Sequence, residues 1–390
     1  MMSRLRKTVG FWNSEGEILH ICMISGYAGI GGGLENVVNE LSKELVKHGN
    51  QITIFNNSPK DLISKYPNFT VEELRPYDIL PPRLRFANYS QYTYSLKVWM
   101  RIKDSKHFDV IHGHGDNCFF PILFRDRTPF ITNIHGIKKA YRTRVFGSNS
   151  NMVKGPRLFP LFWPEEIAAK RSDITVACSK AERDELISFY GIDSKKIQVI
   201  YNGVDVTRFK PVDKLTARKI LGLTENANFA IWVGNNPQLK GLKTAIKAVK
   251  NIKNLYLLVA GISGTNFDNV LFFGMIPPQK LCVLYNAANF LILPTLYEGF
   301  PLVPLEALAC GLPILISKEC PTKEIITDGK EGFIVNQRKP ECYTEKINAL
   351  LSDNYLNQEI SFQCRSLAEK FSWANVGQEY LKVYSQFAST

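Results

Sequence analysis

Glu298 and Glu306 stand eight residues apart and carry the only charges in an apolar stretch from 281 to 317. On one continuous helix they would lie on the order of 12 Å apart and roughly 80° out of phase. Carboxyls that cleave a glycosidic bond sit about 5 to 9.5 Å apart across that bond, so this spacing does not make a hydrolytic dyad. It fits two separate contacts on one elongated ligand, against the alternative of two solvated carboxylates at a helix end. An apolar run ends at Pro294, and Glu298 and Gly299 form a polar elbow. A helix-capable run follows, in which Pro301 and Pro304 are tolerable only in a first turn. With the run 314–316 beyond, this is strand, loop, helix, strand. Such a unit aims a helix N-terminus past the carboxyl end of a strand, where an anionic ligand fits.

Similar alternation fills the chain. Residues 18–25 and 51–55 suit buried strands flanking a helix whose apolar positions Leu34, Val37, Val38, Leu41 and Leu45 keep helical spacing. Between them the glycine loop 26–33 offers bare backbone to a phosphate, or a tight turn. As a dinucleotide fingerprint it is weak, because Asn56 and Asn57 stand where a ribose-binding acid belongs. Further strands are expected at 108–112, 129–134, 173–177, 196–200, 229–233, 256–260, 270–273, 314–316, 324–326 and 332–335. This pattern makes parallel, doubly wound sheets. Polar residues at strand ends are then the candidates for chemistry: His112 and His114 after one strand, His135 and Gly136 after the next. A neutral imidazole can donate one hydrogen bond and accept another, which suits a sugar hydroxyl.

A chain of 390 residues is too long for one core and suits two domains. Its 45% hydrophobic and 22% charged residues are those of a globular protein. The eight cysteines form no Cys-x-x-Cys pair and several fall inside apolar runs, so they are expected to be reduced core residues of a cytoplasmic protein. Glu15 and Glu17 precede the first apolar run, so no signal-peptide core is expected. Prolines and both glutamates interrupt 281–317, which is therefore not expected to span a membrane.

At Glu298-Gly-Phe-Pro-Leu-Val-Pro-Leu-Glu306, followed by Gly311-Leu-Pro-Ile, the sequence resembles the retaining glycosyltransferases of family 4. The resemblance covers roughly residues 18–375 and implies a GT-B fold, two Rossmann-like domains facing a cleft that holds a nucleotide-sugar. It implies that Glu298, with Gly299, Phe300 and Leu302, lies by the transferred sugar and that Glu306 bonds the ribose. His135 would contact the sugar or its phosphate. Gly32 or Gly33 would pack by the diphosphate, followed by the acidic Glu35. Gly234 opens the family's phosphate loop, whose Lys is matched by Lys240 but whose Arg is replaced by Asn235. An amide cannot supply the bidentate donation of a guanidinium. Gly274 matches the family's glycine loop facing the donor base. Residues 199–211, around Asn202-Gly203-Val-Asp, resemble the interdomain segment, with Tyr201 in place of a proline. The domains expected are 1–203 for the acceptor, 204–372 for the nucleotide-sugar, and a helix in 373–390 crossing back to the first.

The formal charge of +12 is uneven, with 28 Lys and Arg against 20 Asp and Glu in residues 1–200. Lys138, Lys139, Arg142, Arg144, Lys154 and Arg157 have no acidic residue among them, and residues 147–151 suggest a loop. Upstream, Tyr92, Leu96, Trp99 and Ile102 could form an apolar helical stripe beside Lys97, Arg101 and Lys106. Together they suit the anionic inner face of a cytoplasmic membrane, against the alternatives of a core-facing helix and a solvated loop. No base-reading fold is evident, so nucleic acid is not expected as a partner. The chain has no Asp-x-Asp, so neither a metal nor a cofactor is expected beside the nucleotide-sugar substrate. The expected activity is transfer of a hexosyl group from a UDP- or GDP-sugar to a hydroxyl of a lipid-linked or saccharide acceptor. Its rivals are a nucleotide-sugar or anionic-membrane binding protein with weak catalysis, and another GT-B reaction such as phosphorolysis or epimerisation.

Overall fold

The computed structural model describes residues 18–26, 33–57, 67–75, 89–103, 108–146, 159–336, 339–352 and 354–387. Two compact units emerge, unit 1 from residues 1–140, 149–200 and 373–390, unit 2 from 141–148 and 201–372.

In unit 1 the order is β1 His20–Ser25, α1 Gly33–Lys47, β2 Gln51–Asn56, β3 Phe69–Glu73, α2 Tyr89–Ile102 and β4 Val110–His114. It continues through α3 Phe119–Leu123, β5 Phe130–Ile134, α4 Lys138–Phe146, whose residues from 141 on count with unit 2, α5 Phe159–Arg171, β6 Ile174–Ala177, α6 Lys180–Tyr190 and β7 Ile197–Val199. The seven strands pair in parallel in the order β3-β2-β1-β4-β5-β6-β7. The central strands are buried on both faces, which is why they appear as continuous apolar runs. Val37, Val38, Leu41 and Leu45 form the buried stripe of α1.

Unit 2 restarts the same winding with α7 Lys214–Leu221, β8 Asn228–Val233, α8 Leu242–Val249, β9 Leu255–Ala260, β10 Val270–Gly274 and α9 Pro278–Ala287. Then come β11 Phe290–Leu293, α10 Leu302–Ala309, β12 Ile314–Ser317, β13 Gly332–Val335, α11 Pro340–Ser352 and α12 Asn354–Lys370. Its six strands are parallel in the order β10-β9-β8-β11-β12-β13. Both sheets are therefore Rossmann-like.

Three local expectations are corrected. No strand forms at 324–326, because Pro321–Glu324 closes a 3-10 turn. The basic segment beginning at Lys138 is helical through Phe146, and the part with Lys154 and Arg157 lies outside the described residues. In α2 the buried residues are Tyr89, Thr93, Tyr94, Ser95 and Val98, whereas Tyr92, Leu96, Trp99 and Ile102 are half-buried. Tyr94 wins the core position because its hydroxyl donates to the carbonyl of Phe55 at 2.8 Å, satisfying the one polar atom that burial would strand.

The last helix, α13 Trp373–Ser385, belongs to unit 1. Tyr380 and Tyr384, one turn apart, enter the core. The Tyr380 hydroxyl donates to Asn133 Oδ1 at 2.9 Å, and the Tyr384 hydroxyl lies 2.7 Å from His112 Nδ1. Burial holds the fully buried His112 well below the ordinary 6.5, at about 3, and lowers His114 too. An unfolded imidazole takes a proton near 6.5, so below that pH the unfolded state binds more protons than the native one. Stability present above pH 6.5 is then lost as pH falls toward 3, by up to ~1.4 kcal/mol per pH unit for each imidazole. Buried Glu165, Glu182 and Glu306, raised above the usual carboxylate range, act in the opposite sense, so the test is the difference in urea midpoint between wild type and His112→Gln, which is expected to move in favour of the variant as pH falls from 6.5 to 4. A difference that stays constant across that window would contradict the buried neutral imidazole.

Candidate active site

The site in unit 2 is built on the carboxyl ends of parallel strands. Past Val233 the chain makes the loop 234–241 before α8. Asn236 shapes this loop, its carbonyl accepting from Lys240 N at 3.0 Å and its Oδ1 from Leu239 N at 3.0 Å. The loop is tied to the segment after β11 by Leu296 N donating to Leu239 O at 2.8 Å, and to its own strand by Trp232 Nε1 donating to Lys240 O at 2.9 Å. A Cβ at Gly234 would stand 2.3 Å from Lys240 Cδ, so glycine there lets the lysine stem cross the strand end. Gly241 has φ of +69° and would put a Cβ 2.1 Å from Pro294 O, a backbone atom that cannot step aside.

Thus routed, Lys240 Nζ reaches Glu298 Oε1 at 2.6 Å, both side chains being 15% exposed. Neighbouring Gly299 and Phe300 are buried, and the Phe300 carbonyl accepts from Asn202 Nδ2 at 2.7 Å. Pro301 precedes α10 and Pro304 falls in its first turn, as their missing N–H groups require. Leu302 begins the helix, and Glu306 in its second turn accepts from the Tyr285 hydroxyl at 2.9 Å. Burial raises the Glu306 carboxyl to about 7, against the opposing pull of the Tyr285 hydrogen bond, Arg208 and Lys240. The two glutamates therefore have different partners and do different work. Gly274 lies along the same sheet edge, its carbonyl accepting from Gly261 N at 2.9 Å. Asn235 is exposed at the start of the loop.

In unit 1, Gly33 is the exposed first residue of α1, and Gly32 lies outside the described residues. His135 follows β5, with its Nε2 2.9 Å from His114 Nδ1 and 3.1 Å from Asn133 Nδ2. With Tyr380 donating to Asn133 Oδ1, the amide nitrogen faces the ring, so His135 Nε2 accepts and its proton sits on Nδ1. Burial keeps His135 at about 4, hence neutral near pH 7. The turn after it is held by Glu182, which accepts from Gly136 N and, at 2.7 Å, from Cys178 N.

Sequence reasoning missed Tyr285, Asn133, Tyr380, Glu182 and Gly261. Ser179-x-x-Glu182 is a helix-start signature legible in the sequence, and the Ser179 side chain does cap α6. Gly261, whose Cβ would meet Gly234 O at 2.6 Å, leaves no such signal.

Family models match the chain twice, "Glycosyltransferase Family 4" over residues 31–208 and "Glycosyl transferases group 1" over residues 213–366. A sucrose-phosphate synthase of Thermosynechococcus elongatus superposes with a TM-score of 0.80 at 20% identity, covering 95% of this chain and all of its own. The Anabaena protein HepE, solved with UDP and glucose, does so at 0.74 and 18%, covering 94% and 100%. These likenesses and the two Rossmann-like sheets define a GT-B glycosyltransferase. More particularly, the chain belongs to the family 4 type. A D-inositol 3-phosphate glycosyltransferase of Geodermatophilus obscurus is 27% identical, over 93% of this chain and 86% of its own. An uncharacterized glycosyltransferase of Methanocaldococcus jannaschii is 25% identical, over 90% and 94%.

Gly241→Ala combines left-handed strain with a backbone clash and is expected to cost roughly 2 kcal/mol or more in urea unfolding. An unchanged midpoint would mean that the Lys240 loop is not held as described.

Proposed function

We propose that this glycosyltransferase is a retaining enzyme that moves a hexosyl group from a UDP- or GDP-sugar to a hydroxyl of a lipid-linked or saccharide acceptor, without a metal bridging the diphosphate. The observation that carries the reading is the Lys240–Glu298 pair, a cation and an anion in contact on the elbow that also bears Glu306. A diphosphate arriving at the loop 234–241 competes with Glu298 for the Lys240 ammonium, and a charge-assisted bond to phosphate replaces the ion pair. Glu298, released, accepts from sugar hydroxyls and supports positive charge at the anomeric carbon as the leaving bond lengthens. Retention follows if the acceptor attacks from the face the diphosphate leaves, the departing phosphate oxygen taking the acceptor proton. His135 keeps the sugar-contacting role that the family resemblance implies. Glu306, as a carboxylate, accepts from the two ribose hydroxyls.

HepE, the fold neighbour solved with UDP and with UDP-glucose, makes UDP-glucose the first donor to try. A panel of UDP-, GDP- and ADP-sugars is expected to give one donor whose turnover falls at least ~100-fold in Glu298→Ala, with an α-linked donor giving an α-linked product. Inversion would overturn the retaining assignment. Binding of a sugar nucleotide without turnover on any acceptor would favour the weakened binding protein, the reading to which the exposed Asn235 points.

Because Glu306 titrates near 7, UDP-glucose affinity is expected to rise between pH 6 and 8 as the carboxyl ionises. The donor's own diphosphate does not titrate in that range. Glu306→Gln should bind more weakly and without the slope. A slope kept in the variant would remove Glu306 from the ribose.

The acceptor is proposed to be met at a membrane. Met100 on α2, Phe124 just past α3 and Trp163 on α5 are exposed, the Phe124 ring lies 5.1 Å from half-buried Trp99, and Lys103 stands 5.3 Å over the Trp99 ring. Part of the nearby basic charge is already spent locally, Arg101 on Glu72 and Lys138 on Asp116. Among the described residues no helix is long and apolar enough to cross a membrane.

A further inference from the structure

We propose that Cys282 and Cys310 are a reversible oxidation site, closed to a disulfide by hydrogen peroxide, whose closure loosens the hold of unit 2 on the nucleotide. Cys282 lies within α9 and Cys310 caps the end of α10, and their Sγ atoms are 3.9 Å apart. They are 8% and 5% exposed, so the pair is packed but not sealed. The next rung between the same two helices is the Tyr285–Glu306 hydrogen bond. Tyr285 follows Cys282 by three residues and Glu306 precedes Cys310 by four, one helical turn in each case. Two sulfurs in contact and a carboxyl–phenol bond are thus adjacent ties across one helix pair.

The sulfurs are not equivalent. Cys282 Sγ accepts from Asn286 Nδ2 at 3.6 Å, lies 3.8 Å from the Lys210 carbonyl, and shares with Cys310 Sγ a contact in which either sulfur can donate. The Cys310 thiol, then the Asn286 amide and the Lys210 charge, draw Cys282 down to about 6, while burial pushes Cys310 up. Cys282 is therefore the thiolate and nucleophile, and Cys310 the resolving thiol. The Cys282 thiolate attacks one peroxide oxygen and the O–O bond breaks, leaving a sulfenic acid and a hydroxide that takes up a proton to become water. The Cys310 sulfur then attacks the sulfenic sulfur, the S–O bond breaks, and a second water leaves with the Cys310 proton. Two thiols are oxidised by two electrons and one peroxide is reduced to two waters.

A disulfide bond is about 2.05 Å long, so closure draws the sulfurs together by roughly 1.9 Å from their present separation. Helix α10 shifts against α9 at the end where Glu306 sits. The Tyr285–Glu306 geometry changes with it, and with it the carboxylate's aim. This consequence rests on the reading of Glu306 as the ribose ligand, whereas formation of the disulfide does not.

The test is to treat the full-length protein with hydrogen peroxide, map disulfides by non-reducing peptide mass spectrometry, and titrate UDP by calorimetry before oxidation, after it, and after dithiothreitol. A 282–310 cross-link is expected, with UDP binding at least fivefold weaker and restored on reduction. Cys310→Ser should bind UDP like the reduced wild type and stop at the sulfenic acid on Cys282, trapped by dimedone. No cross-link at peroxide levels that do oxidise half-buried Cys342 would overturn the site. A cross-linked protein that binds UDP as well as the reduced one would overturn the coupling and leave the donor reading intact. Failure of the reduced protein to bind UDP, with the cross-link present, would overturn both the coupling and the donor reading while the oxidation site stands.

Discussion

The contact between Lys240 and Glu298 is the constraint on which the rest of unit 2 depends. An ammonium and a carboxylate at 2.6 Å, each only 15% exposed, are costly to bring together and more costly to separate without a substitute. The fold provides for that contact with glycine at 234, so that the lysine stem can cross a strand end, and glycine at 241, so that the next turn can lie against Pro294. It places Glu298 after a β11 strand that is buried on both faces and therefore fixed in register. In the proposed reading the pair is a latch that a phosphate opens, since only an anion offers the ammonium an equal partner.

Glu306 is organised on the opposite principle. Its hydrogen-bond partner is a phenol, and burial raises its carboxyl to about 7 against the pull of Arg208 and Lys240. A group balanced between its two protonation states near neutrality responds to whatever donates to it, and a ribose offers two hydroxyl donors. In unit 1 the imidazoles are settled the other way. His112, His114 and His135 stay neutral, and α13 fixes the orientation of His135 through Tyr380 and Asn133. Charge is placed where it can be exchanged for substrate charge, and withheld where a tautomer has to be held.

Much of this was legible in the sequence. Parallel strands buried on two faces leave continuous apolar runs, so most strands from 18–25 to 332–335 could be traced within a residue or two, whereas β3 Phe69–Glu73, an edge strand with only Phe69 buried, went unread. Glu298 and Glu306 stood out because an apolar stretch tolerates no idle charge, and the prolines at 301 and 304 fixed where the helix must begin. Partners were the illegible part. Nothing local ties Tyr285 to Glu306 or Tyr380 to Asn133, because those contacts are made by packing between segments 21 and 247 residues apart. The core-facing residues of α2 went unread for a related reason. Tyr92 and Trp99 keep helical spacing as well as Tyr94 and Val98 do, and the strand-end carbonyls of Phe55 and Ser25, distant in sequence, are what satisfy the buried Tyr94 hydroxyl. The segment 324–326 has strand composition, yet Pro321 commits the preceding residues to a 3-10 turn.

The central claim is that Lys240 is a phosphate ligand held in readiness by Glu298. Calorimetric titration of wild type and Lys240→Met with UDP and, separately, with uridine tests it most directly. The account predicts that the variant loses at least ~10-fold in affinity for UDP, the equivalent of one charge-assisted bond, while uridine binding is unchanged. Equal loss for both ligands, or none for either, would contradict it.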